Sequence, residues 1–212
     1  MSLKLAVEVR RRLEELGVSR DAATILSYIF ERGRLRVGVT ELLAMFEGEG
    51  KGEEELREAL LELEGLRALL PARSRMGRGL AWEHRVVSLR ADDELEVPPS
   101  IYYALEGLAS TGRWSYEYAA QRYFEAIREP LADEFVEAVK RVASRSKRVV
   151  DAEEIKEALV EAGAPPDRVG VFISELKGGG FISPLLSRAQ WFERGARAPL
   201  YELNPLLFML KR

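Results

Sequence analysis

His84 is the only histidine in the chain, and there is no cysteine. A histidine proton relay, a multi-histidine zinc site, a thiol nucleophile and an iron–sulfur centre therefore all lack their donors. Gly48-Glu49-Gly50-Lys51-Gly52 has the glycine content of a phosphate loop. It lacks the Gly-x-x-x-x-Gly-Lys-Ser/Thr spacing, follows no buried strand and carries its own carboxylates, so a nucleotide site is not expected. Gly178, Gly179 and Gly180 fall between a helix and a strand, where glycines serve a left-handed cap and a tight turn. Paired acids such as Glu153-Glu154 sit on a helix surface, with nothing in the sequence to converge them on a partner acid or a metal. The expectation is a protein that is not an enzyme, with no cofactor and no metal.

The remaining chemistry is recognition by charge. Arginine outnumbers lysine 25 to 7. Arg73, Arg75, Arg78 and Arg85 surround His84 and Trp82, a basic stretch with an aromatic that suits a phosphate backbone or a minor groove. Lys140, Arg141, Arg145, Lys147 and Arg148 form the densest basic run, and Arg188, Arg194 and Arg197 form a second cationic loop. Between them, Arg168, Val171, Ser174 and Lys177 stand off the buried stripe of a helix, in a position to face DNA, with Glu175 as the main dissent. The stretch 53–64 reads the opposite way. Glu53, Glu54, Glu55, Glu58, Glu62 and Glu64 face a lone Arg57, and putting that face in a groove would set carboxylates against phosphates. It is a solvent face or a docking surface for a basic partner. Net charge is −3, with 16 basic and 19 acidic residues in 1–97 and 16 of each in 98–212, which argues against a generic nucleic-acid coat.

The elements that must position these groups are clearest in residues 148–203. A β-branched run, Arg148-Val149-Val150, leads to Asp151 as N-cap with Glu154 as its capping-box partner. A helix follows, broken at residues 163–166, and Asp167 is expected to cap the next, whose stripe is Val169, Phe172, Ile173 and Leu176. Phe181-Ile182-Ser183 and residues 199–203 read as two strands joined by the loop bearing Arg188, Arg194 and Arg197. A shift of 113 residues aligns 18–75 with 131–188 without a gap. Arg32 falls on Arg145, Val37 on Val150, Glu41 on Glu154, Gly50 on Gly163, Leu63 on Leu176, Gly65 on Gly178 and Pro71 on Pro184. The acidic Asp92, Asp93, Glu94 and Glu96, ending in Pro98-Pro99, read as a linker, and Ser100 as the cap of the next helix. Seven aromatics lie between residues 101 and 127, with Tyr116, Ala120, Tyr123 and Ile127 at helical spacing. They read as glue between the two halves or across a homodimer, as does the apolar stretch 205–210 that includes Phe208, and an effector pocket is the alternative. Arg10-Arg11-Arg12 on the first helix reads as a solvated face paired with Glu8, Glu14 and Glu15.

With a helix over residues 131–145 in front, this order resembles the winged-helix family, a helix-turn-helix followed by a β-wing, present here in tandem. The expected fold is mainly α with small β-wings (α+β). The expected units are 1–97, a helical linker 98–130 and 131–212. The resemblance implies a transcription regulator that binds double-stranded DNA, chiefly through the second unit and both wings. The alternative is a docking or assembly protein similar to the two-winged-helix accessory subunits of chromosome-condensation complexes, with Glu53, Glu54, Glu58 and Glu62 meeting a protein partner. Only Asn204, Gln121 and Gln190 are amides, which together with the charge content suggests a thermophilic, archaeal source. No apolar run approaches a membrane span and residues 1–12 lack a signal-peptide core, so a soluble, cytoplasmic protein is expected.

Overall fold

The computed structural model describes residues 3–72, 82, 90, 92–145, 148–185 and 198–208. The chain is mostly helical with two small antiparallel sheets, an α+β arrangement. The first half runs α1 (Leu3–Glu15), α2 (Arg20–Glu31), β1 (Arg36–Gly38), α3 (Val39–Gly48), α4 (Glu53–Gly65), β2 (Leu70–Pro71) and β3 (Glu94–Glu96). After α5 (Pro99–Thr111) come α6 (Tyr116–Ala126), α7 (Ala132–Arg145), β4 (Val149–Asp151), α8 (Ala152–Glu161) and a 3-10 turn (Pro166–Arg168). The chain continues with α9 (Val169–Gly179), β5 (Ile182–Pro184), β6 (Leu200–Leu203) and α10 (Pro205–Phe208). β1 and α3 lie 113 positions before β4 and α8 at both of their ends. The sheets share one strand order as well, β1-β3-β2 and β4-β6-β5, with Val37 opposite Leu95 and Val150 opposite Tyr201.

Local chemistry sets the helix ends. The Ser19 hydroxyl accepts from the Ala22 amide at 3.3 Å and opens α2. Asp151 and Glu154 close a reciprocal box on α8, at 2.8 Å from the Glu154 amide to Asp151 and 2.9 Å from the Asp151 amide to Glu154. Two expected caps fall elsewhere. Asp167 makes no side-chain cap, because the 3-10 turn carries the chain into α9 and leaves Arg168 at the cap position. Pro98 stands at the N-cap of α5 with Pro99 inside it, since proline's fixed φ suits a first turn and its missing N–H is not needed there. Ser100 Oγ is instead fully buried with no hydrogen-bond partner.

One continuous apolar cluster runs through both halves. In the second, Phe124, Phe135, Phe172 and Phe181 pack together, with Phe135 and Phe172 centroids 4.7 Å apart. α5 lies between the halves, against α1, α2, α6 and α10. Gly107 lets it approach α6, since a Cβ there would sit 2.8 Å from the Tyr118 ring. The seam is closed by β6 and α10. Asn204, with no solvent exposure, donates from its amide to Arg67 O at 3.2 Å and Gly180 O at 3.0 Å, and accepts from the Leu207 amide at 3.1 Å. Arg67 and Gly180 are the left-handed residues just past α4 and α9, so both helices end at this one side chain. Glu202 adds an ion pair from each half: Arg148 at 2.9 Å and Arg67 at 3.7 Å.

Candidate docking and nucleic-acid interface

The helices that lead into β2 and β5 are α4 and α9. On α4, Leu56, Ala59, Leu60 and Leu63 are buried, and this stripe turns Glu54, Arg57, Glu58 and Leu61 outward. Glu54 and Glu53 share Arg57, at 3.7 and 3.0 Å, in pairs too exposed to hold either carboxylate firmly. Glu58 has no ion pair among the described residues, and Leu61, at 58%, is the most exposed large apolar side chain among them. Glu62 turns inward and accepts the Ser19 amide at 2.8 Å, joining α4 to the start of α2. Glu55 accepts the Gly52 amide at 2.9 Å, and backbone amides of this first turn hold its carboxyl below the usual range. Of the glutamates expected to dock a partner, Glu53, Glu54 and Glu58 face outward beside Leu61, and Glu62 is bonded to the Ser19 amide.

α9 distributes its charge differently. Arg168 is held by Glu129, at 2.7 Å, and lies 5.9 Å from the Phe135 ring centroid. Glu129 is only 6% exposed, Arg168 is 31% exposed, and Arg168 Nε is buried without a partner. Glu175 accepts from the Tyr123 hydroxyl at 3.1 Å. The outward face is Asp167, Gly170, Val171 and Ser174, while Lys177 is partly covered. Of the residues expected to contact DNA, Val171 and Ser174 are on the surface and Arg168 is bound within the chain. Arg148 is mostly exposed and bonded to Glu202.

The basic run before β4 is likewise matched by glutamates. Arg145 meets Glu157 and Glu161, and Arg141 meets Glu137 and Glu161. Arg10, Arg11 and Arg12 pair with Glu14, Glu8 and Glu15 along α1. Trp82, which the sequence offered as an aromatic for a groove, is buried, and its backbone amide donates to Ser183 Oγ of β5 at 2.9 Å. Arg73, Arg75, Arg78, Arg85, Lys147, Arg188, Arg194 and Arg197 lie outside the described residues.

The expected interface aromatics divide. Tyr116 packs on Phe208 with centroids 5.2 Å apart, joining α6 to α10 within the chain. Tyr123 is buried between Phe124 and Phe181 in the second half. Ile127 is exposed at the end of α6. Sequence reasoning missed Glu129 and Glu202, which meet partners 39 and 54 positions away, beyond the reach of any local pattern.

Among the described residues no helix is long and apolar enough to cross a membrane. A model of an uncharacterised protein family matches residues 14–212. No curated protein and no solved structure matches the chain.

Proposed function

We propose, for a chain that belongs to the family matched over residues 14–212, that it is a non-catalytic docking protein built from two winged-helix units. The element order and the shared sheet order support the winged-helix assignment of each half. In that architecture the last helix before the wing of each unit, α4 or α9, is the one offered to a partner.

The observation that carries the docking reading is the outward face of α4. Glu54, Glu58 and Leu61 follow one another along it, two carboxylates and then a projecting leucine, with Arg57 beside Glu54 at 3.7 Å. Phosphates would be repelled by this face. A basic amphipathic segment of a protein fits it, with an apolar side chain against Leu61 and lysines or arginines on the glutamate rim. Glu54→Lys with Glu58→Lys, and separately Leu61→Ala, are expected to abolish retention of a partner recovered by cross-linking to the parent chain. Retention by both variants sinks the reading.

The second reading, a DNA-binding regulator of transcription, rests on a specific contrast. The outward face of α9 and the turn before it carries one carboxylate, Asp167, and is uncharged at Gly170, Val171 and Ser174, and the sequence stretches 73–85 and 188–197 hold Arg73, Arg75, Arg78 and Arg85, and Arg188, Arg194 and Arg197. A salt series of binding to a random duplex by fluorescence anisotropy separates the two. Affinity falling by several log units per log of salt supports the DNA reading, and no binding at low salt supports protein docking alone.

A further inference from the structure

Where α2 ends beside α5, the surface opens into a cleft of about 410 Å³ lined by Phe30, Glu31, Arg32, Tyr102, Glu106 and Ser110 among others. Phe30 and Tyr102 form its aromatic wall, with centroids 5.6 Å apart, and Tyr103 meets Tyr102 edge-on at 5.9 Å. The charges around the wall are not balanced. Arg32 is partly committed: its guanidinium lies 4.0 Å from the Tyr28 ring centroid and donates at 3.0 Å to Glu41, which also accepts from Arg34. Glu106 meets Arg122 at 3.0 Å and the Tyr118 hydroxyl at 3.5 Å, both through Oε2, which leaves Oε1 uncommitted. Glu31 has no ion pair among the described residues. Burial and the neighbouring Glu106 charge push the Tyr102 phenol up.

We propose that this cleft receives the guanidinium or ammonium of an arginine or lysine side chain from the basic protein partner, between the aromatic wall and the Glu31 and Glu106 carboxylates. A cation on a ring face gains from the ring quadrupole, and a carboxylate within reach adds a charge-assisted hydrogen bond. The chain uses the same arrangement internally, with Arg32 over Tyr28 beside Glu41, and Arg122 near Tyr103 beside Glu106. An anion is disfavoured, because among the described residues the lining sets two carboxylates, Glu31 and Glu106, against one arginine that is itself bonded to Glu41. This inference rests on the docking reading for the carrier of the cation, but the cleft is separate from the α4 face.

Titration of the whole chain with n-propylguanidinium, followed by amide NMR, tests it without the partner. Saturable shifts are expected at Gly33 and along the end of α5, with n-propylurea, the neutral isostere, producing none. Glu31→Gln with Glu106→Gln is expected to weaken binding about tenfold or more. Glu31→Gln alone, which leaves the Arg122 contact intact, should weaken it several-fold. Absence of saturable shifts, equal binding of the urea, or unchanged affinity in Glu31→Gln overturns the cleft. If Glu54→Lys with Glu58→Lys loses the partner while the cleft variants keep it, the docking reading stands and the cleft's part in it falls.

Discussion

Aligned in sequence at the 113-residue shift, the two halves share one sheet order and differ in what they do with bulk and with charge. Ala22, Ala59 and Ala68 of the first half stand where the second has Phe135, Phe172 and Phe181, all buried. The first fills its core from other positions, with Leu13, Ile25, Leu26, Leu56 and Leu60 fully buried. Charge is divided as sharply. α4 carries Glu54, Glu58 and Leu61 outward where α9 has Asp167, Val171 and Ser174. On the first half's α4, Glu58 has no ion pair among the described residues, whereas the second half spends Arg168 on Glu129. What separates the halves is therefore the outward residues of the two helices and not the order of their elements.

The sharpest way to break the comparison is at the residue the halves share. Asn204→Asp turns a donor toward Arg67 O and Gly180 O into a buried carboxylate facing two carbonyls. We expect a loss of roughly 5 kcal/mol in urea unfolding, the upper range for an uncompensated buried charge. Phe172→Ala should cost about 4 kcal/mol through the cavity left between Phe124 and Phe135. The reciprocal Ala59→Phe should cost about 1–3 kcal/mol by overpacking. Equal costs would mean the two cores are not differently filled. Glu129→Gln removes the partner of a mostly buried guanidinium and should cost about 2–3 kcal/mol, against less than about 0.5 kcal/mol for Glu54→Gln on the exposed face.

The smallest effect distinguishes Glu41 from Glu154, its counterpart. Burial pushes the Glu41 carboxyl up, but hydrogen bonds from Tyr28 and Arg32 and the nearby Arg34 outweigh it and hold the group below its ordinary value of 4.5. A carboxyl depressed in the folded state stabilises above its unfolded pKa, and that contribution is lost as pH falls through the folded value. Glu41→Gln should therefore cost about 1 kcal/mol at pH 7, an exposed-network magnitude, with the gap to the parent closing below about pH 4.5. Glu154→Gln should stay within about 0.5 kcal/mol, because glutamine also completes a capping box.

The helices and strands were legible because their signals are local: the Asp151–Glu154 box, the stripe through Phe172 and Leu176, and the 113-residue shift. The caps at Ser100 and Asp167 were misread because Pro98-Pro99 and the turn at Pro166 each override a side-chain cap by constraining φ first. The outward carboxylates of α4 were read from the helical period alone. The commitments of Arg168, Arg148 and Glu62 were not, since each is made with an element distant in sequence.

At the seam, Arg67 holds a left-handed backbone, φ 54°, at the position where the second half has Gly180. A side chain there costs about 1 kcal/mol relative to glycine, and this one reaches Glu202 across the seam. Because α4 and α9 both end at Asn204, one buried side chain ties the two helix termini together. Under the docking proposal, a partner anchored on one of these helices would meet the other at an effective concentration set largely by the partner's own linker.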